Sequence, residues 1–234
     1  MKSRFLLEIS VESVAAAVAA ERGGAQRIEL CEDAAIGGVT PSVPMMREAR
    51  SRVKIPIFAM IRPRGGNFVY SNDEFAAMRR SIDDARAAGM DGLVLGILTT
   101  ERRVNVVRTR ELIGLCGGLP VTFHRAMDEA VDLPRALEEI IATESQRILT
   151  SGGKASALEG AETIAGLVAK AGQRIVILPG AGIHPDNVRE VARRTGAKEF
   201  HSGLSSILGR GADAGRFEAE VRRLKSNLSE AADN

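Results

Sequence analysis

The stretch Glu21–Leu30, ERGGAQRIEL, carries a pattern that recurs in Arg86–Leu95, RAAGMDGLVL, and in Arg193–Ser202, RRTGAKEFHS. In each, a helical segment ends in glycine and a short strand-like run begins two to four residues later. Glycine just past the last helical turn adopts the left-handed conformation that stops a helix. A short apolar run with little alternation reads as a strand covered on both faces, as in a parallel sheet. The repeating unit is a helix, a glycine stop and a buried strand.

Extending this unit in both directions places strands at Phe5–Ile9, Arg27–Cys31, Ile55–Ile61, Gly92–Leu95, Val121–Phe123, Arg147–Thr150, Arg174–Leu178 and Glu199–Ser202. Helices are expected at Ser13–Ala20, Ser42–Arg50, Asp73–Ala88, Val104–Cys116, Leu133–Thr143, Ala155–Ala169, Pro185–Thr195 and Phe217–Leu228. Eight βα units in 234 residues predict an α/β fold, a single-domain (β/α)8 TIM barrel over residues 1–228, with 229–234 a frayed tail. A doubly wound open sheet is the rival, but no GxGxxG follows the first strand.

Composition narrows the function. With 32 basic and 30 acidic residues and 3% aromatics, neither a basic patch nor a base-stacking platform is indicated, so no nucleic-acid partner is expected. MKSRFLLEISVES lacks a long apolar segment, and no run reaches membrane-spanning length, so no membrane partner is expected. Two cysteines, Cys31 and Cys116, make no disulfide framework. A cytoplasmic protein with reduced thiols is the expectation.

In such barrels the chemistry sits at the C-terminal ends of the strands. There the chain places Glu8 and Ser10, Glu29 and Cys31, Arg62 and Arg64, His124 and Arg125, Thr150 and Ser151, and His201 and Ser202. Glu8 and Glu29 lie inside otherwise apolar strands, where a charge is costly without a partner. They are candidate catalytic carboxylates with His124 and His201, either moving protons or holding a metal. The plainer alternative is a buried ion-pair layer completed by Arg62 or Arg125.

Glycine-rich turns suggest a second feature. Ser151, Gly152, Gly180, Gly182, Ser202 and Gly203 follow the sixth, seventh and eighth strands, where barrels often bind phosphate through backbone amides. With Arg62, Arg64 and Arg125 they form a candidate anion site. The alternatives are tight βα turns for the glycines and loop anchoring for the arginines. His184 is expected to cap a turn, Cys116 to pack at a helix end, and Lys154 to take no covalent role.

RIELC at 27–31, GGVTPS at 37–42, IRPRGGNFVYS at 61–71, VTFHRAMD at 121–128, RILTSG at 147–152, ALEG at 157–160, PGAGI at 179–183 and EFHS at 199–202 together resemble the CutC family of copper-homeostasis proteins. The resemblance implies a cytoplasmic (β/α)8 barrel, a homo-oligomer, and copper as cofactor or cargo. It also implies Cu(I) binding by cysteines at the ends of the first two strands. Cys31 holds the second of these positions and Ser10 the first, so His124 or Met127 would have to supply the other donor. A hard divalent metal is the other metal expectation. The alternative function is an enzyme acting on a small anionic or phosphorylated metabolite through the glutamate, histidine and arginine groups.

Overall fold

The computed structural model describes residues 5–204 and 213–231. Its strands are β1 (Leu6–Val11), β2 (Arg27–Leu30), β3 (Ile57–Met60), β4 (Gly92–Leu95), β5 (Val121–Phe123), β6 (Arg147–Thr150), β7 (Val176–Pro179) and β8 (Glu199–Ser202). All the ladders among them are parallel, in the order β7-β6-β5-β4-β3-β2-β1-β8. β7 lies beside β8, and the Ser202 hydroxyl donates to the Ile183 carbonyl across that seam at 2.6 Å. The expected (β/α)8 barrel is the fold.

The helices are α1 (Val14–Arg22), α2 (Val43–Arg52), α3 (Asn72–Ala87), α4 (Val106–Leu115), α5 (Leu133–Ile141), α6 (Ala161–Ala171), α7 (Val188–Thr195) and α8 (Ala214–Glu230). The three glycine stops behave as the repeat requires: Gly24, Gly89 and Gly196 have φ of 97°, 78° and 67°. Ser13 caps α1 by accepting from the Ala16 amide, and Ser71 and Glu74 form a reciprocal capping box on α3.

Two helices start three or more residues later than the sequence suggests. Residues 155–160 form turns rather than the start of α6, because a Cβ on Gly160 would lie 1.8 Å from the Ser151 carbonyl oxygen. The chain must pass that point as glycine before the helix can begin. Likewise the Asn187 side chain accepts from the His184 amide at 2.9 Å, turning Pro185–Asn187 ahead of α7. At the other end, α8 continues through Glu230, past the expected boundary at 228; residues 232–234 lie outside the described residues.

Side-chain alternation separates two layers. Leu7, Ile9, Ile28, Leu30, Ile57, Ala59, Ile148, Ile177 and Phe200 face the helices and join the main apolar core. The inward set includes Glu8, Arg27, Glu29, Arg147 and His201 beside Phe58, Met60 and Val94, so charged groups share the barrel axis with apolar ones. Cys31, Phe58, Met60 and Val94 form a separate small apolar cluster. Charges this deeply buried demand internal pairing, and that pairing builds the site.

Candidate metal centre and adjoining cleft

Glu8 is fully buried and stands opposite His201 in the β1–β8 register. Its Oε1 lies 2.7 Å from His201 Nδ1, and its Oε2 accepts from Arg27 Nε. Arg27 Nη2 continues to Glu199 Oε2 at 2.7 Å, and Arg147 Nε reaches the same oxygen at 3.1 Å. The rings and guanidiniums stack as well, since Arg27 and Arg147 each lie 5.1 Å from the Phe58 ring centroid. A buried ion-pair layer therefore exists. Its cations are Arg27 and Arg147, not the expected Arg62 or Arg125, because the latter two lie in the loops above the barrel axis.

Burial alone would raise the Glu8 pKa, but the Arg27 charge and the His201 hydrogen bond overcome it and hold the carboxyl down to about 2. Burial dominates at Glu29 and pushes its carboxyl upward, with the Glu8 charge adding to the shift and His201 opposing it. At His201 burial works against the charge, yet Glu29 and Glu8 outweigh it and raise the imidazole above its ordinary value.

His201 Nε2 faces Glu29 Oε2 at 3.7 Å, and Glu29 Oε1 is buried without a hydrogen-bond partner. One donor atom from each of Glu8, Glu29 and His201 falls within 4.8 Å of the other two. With Glu8 fixing Nδ1, the other ring nitrogen faces the Glu29 carboxylate, whose second oxygen is unsatisfied. This is the carboxylate–histidine arrangement that presents an imidazole to a metal. A pocket of about 170 Å³, lined by Ser10, Glu12, Cys31, Gly182, His201 and Gly203 among others, opens above it.

The thiol site fits Cu(I) poorly. Ser10 Oγ lies 3.6 Å from Cys31 Sγ, and the thiol donates to the Val11 carbonyl. Burial and the Glu29 charge push Cys31 up to about 12, so it remains a protonated thiol rather than the thiolate that Cu(I) prefers. Met127, the other expected sulfur donor, is fully buried in the main apolar core.

Of the expected candidates, the catalytic histidines separate. His201 joins Glu8 and Glu29, whereas His124 lines a neighbouring cleft of about 390 Å³ with Met60, Arg62, Phe68 and Arg125. Arg62 anchors loops, donating to the carbonyls of Ile36, Gly38 and Gly66 at 2.8–3.1 Å. Arg64 is committed further out, to Glu74, Asn67 and the Val69 carbonyl, and it does not line the cleft. For Arg64, loop anchoring replaces anion binding.

The glycine-loop expectation is corrected in the same way. The amides of Ser151 and Gly153 donate to the Asp128 carboxylate at 3.0 and 3.1 Å, and Thr150 Oγ1 donates to it at 2.5 Å. Gly152 N donates to Thr150 Oγ1, and Gly180 N to the Thr150 carbonyl. The anion of this turn is Asp128 itself. Gly180 matters sterically, since a Cβ there would meet Leu149 at 2.5 Å and His201 at 3.3 Å. Ser202 spends its hydroxyl on Ile183. Gly182 and Gly203 line the pocket over His201. His184 caps its turn and Cys116 is buried, both as expected, and Lys154 is exposed.

Arg27, Phe58, Asp128, Arg147 and Glu199 escaped the sequence reading. Arg27 is two residues before Glu29 and so shares its inward face; that spacing was the available signal. Arg147 and Glu199 open their strands at the end of the barrel away from the expected chemistry. At that end a groove of about 600 Å³ passes Gln146, Arg174 and Lys198, where barrels place stability rather than catalysis.

Comparison with known proteins agrees with this fold. The CutC protein of Streptococcus agalactiae superposes with a TM-score of 0.80 at 33% identity, covering 85% of this chain and 98% of that one. A family protein CutC of Xylella fastidiosa is 49% identical over 202 residues, 86% of this chain and 76% of the relative. A human relative, named copper homeostasis protein cutC homolog, is 46% identical over 86% of this chain and 74% of its own length. The CutC family model matches residues 5–206, and this chain belongs to the CutC family.

Proposed function

We propose that this chain serves copper homeostasis by holding a copper ion between His201 Nε2 and Glu29, with Glu8 orienting the imidazole. The observation that carries this reading is the Glu29 carboxylate, with Oε1 buried and unpartnered and Oε2 3.7 Å from a ring nitrogen whose opposite nitrogen is already fixed. An orphaned buried carboxylate oxygen is expensive, and a cation offsets that cost. Imidazole nitrogen and carboxylate oxygen are ordinary ligands of Cu(II), while the lone protonated thiol of Cys31 is a weak match for Cu(I). The copper-homeostasis name of the human relative supports the choice of metal among the divalent ions this donor set accepts.

The test is copper titration of the full chain against a competing chelator, in each oxidation state, with electron paramagnetic resonance on the Cu(II) form. Glu29→Gln is expected to weaken Cu(II) binding at least tenfold and to change the spectrum, while Cys31→Ser leaves both nearly unchanged. Cu(II) binding by the wild type no tighter than that of an unrelated protein sinks the reading. Copper binding that survives Glu29→Gln and is lost in Cys31→Ser moves the ion to sulfur.

A further inference from the structure

The cleft around His124 adjoins the pocket over the proposed copper site, sharing Gly37 and Arg125 with it, and has its own unsatisfied chemistry. His124 is 3% exposed and ends β5, where it caps the short 3-10 turn Arg125–Glu129. Its Nδ1 accepts from the Ala126 amide at 3.2 Å. A ring nitrogen that accepts from an amide carries no proton, so in the neutral ring the proton sits on Nε2. That Nε2 is buried and has no acceptor. The ring is held by Phe68 at a centroid distance of 4.8 Å, and a Cβ on Gly96 would meet it at 2.7 Å. Burial, reinforced by the Arg62 charge, holds His124 down to about 3, so the imidazole is neutral at pH 7.

A second orphan donor belongs to the same cleft. Arg62 uses its terminal nitrogens on backbone carbonyls, but its Nε is buried without a partner. Arg125, half-exposed at the mouth, is tied to Asp128 and Ser151. The remaining walls combine apolar Met60, Phe68 and Leu149 with the carboxylates of Asp128 and Glu129. The cleft thus offers two fixed N–H donors, one on a neutral imidazole and one on a guanidinium. The two orphans call for oxygen acceptors, and a guanidinium N–H pairs best with a carboxylate oxygen.

A neutral imidazole donor is suited to polarising a carbonyl oxygen without giving up its proton, the role such a histidine plays in triosephosphate isomerase. We propose that this cleft binds a small 2-oxo carboxylic acid, with the keto oxygen accepting from His124 Nε2–H and the carboxylate accepting from Arg62 Nε–H. Its volume of about 390 Å³ accommodates a short carbon skeleton against Met60 and Phe68.

The full chain, labelled with nitrogen-15 at histidine, is titrated with 2-oxoglutarate and pyruvate, and in parallel with glutarate, propionate and inorganic phosphate. The expected result is a saturable shift of the His124 Nε2 resonance by the 2-oxo acids, with affinity at least tenfold above that for the matched acids lacking the keto group. The bound keto stretch is expected at lower frequency by infrared difference spectroscopy, and that shift is lost in His124→Gln. The wild-type resonance decides the question even where His124→Gln fails to fold. Failure of both 2-oxo acids to bind overturns the proposal. Equal affinity for glutarate, or for phosphate, with His124 Nε2 unmoved also overturns it and leaves a site for anions in general.

Discussion

Glu8 and His201 face each other in the β1–β8 register, and their side chains meet at 2.7 Å on the barrel axis. The contact brings together residues 193 positions apart at the seam that joins the first strand to the last. It also sets Glu8 between an imidazole and a guanidinium, since Arg27 holds the other oxygen. The metal reading and barrel closure thus depend on the same carboxylate.

Glu8→Gln keeps the side-chain shape and removes the charge. Arg27 is then left with Glu199, and His201 loses its nearer carboxylate. Removing one member of a buried ion pair typically costs about 3–5 kcal/mol, and a loss near the lower figure is expected because Arg27 retains Glu199. Urea unfolding measures it as a lowered midpoint with an unchanged slope. A loss below about 1 kcal/mol contradicts the buried-network account.

The acid limb of stability tests His124. Its pKa is about 3 in the fold and near 6.5 in the unfolded chain. Between those values the unfolded chain binds the additional proton, so stability rises with pH. His124 therefore carries no penalty above about pH 6.5 and destabilises progressively as the pH falls toward 3, by at most about 1.4 kcal/mol per pH unit. Glu8, held near 2, adds a loss in the same direction only below about 4.5. In His124→Asn the slope between pH 6.5 and 4.5 is expected to flatten relative to the wild type. Parallel stability curves in that window would mean that His124 is not held neutral.

Asp128 offers a third test. It accepts from Thr150, Ser151 and Gly153, and pairs with Arg125 at 2.9 Å. Asp128→Asn replaces one acceptor oxygen with a donor facing those donors. Leaving buried donors unsatisfied costs about 1–3 kcal/mol. Hydrogen exchange at the Ser151 and Gly153 amides is expected to speed up far more than exchange in β6. Unchanged protection at both amides counts against Asp128 as the anchor of the turn.

The strands and their order could be read from the sequence because the glycine stop and buried run are local signals. Glu8, Glu29 and His201 were also legible, since a charge within a short apolar strand has few explanations. The partners were not. Arg27 looks like the polar start of a strand, and only the β1–β2 register, which sets it opposite Glu8, reveals the pairing. The Ser151–Gly153 turn resembles an anion cradle because it is one, but its anion comes from Asp128, 22 or more residues earlier. Sequence reading recognised the donors and could not see that the chain supplies its own acceptor. Arg64 misled for the same reason: its partners Asn67, Val69 and Glu74 all follow it within one loop and helix start.

Gly92 gives the most direct test of the buried charged layer. It stands opposite Phe58 in the β3–β4 register, and a Cβ there would come within 2.5 Å of the Phe58 ring. That ring cannot simply swing aside, because Arg27 and Arg147 each lie against it, and the Arg27 charge already works against Arg147. Displacing the ring would bring two like charges closer in a buried layer balanced by Glu8 and Glu199. Gly92→Ala, which elsewhere in a strand removes a conformational penalty, is here expected to destabilise by about 1–3 kcal/mol, as overpacking does. The double substitution Gly92→Ala with Phe58→Leu removes the clash, and is expected to be more stable than the sum of the single losses predicts. Thermal unfolding of the four proteins in the cycle measures the coupling, and strictly additive losses would mean that the ring is free to move and does not separate the two arginines.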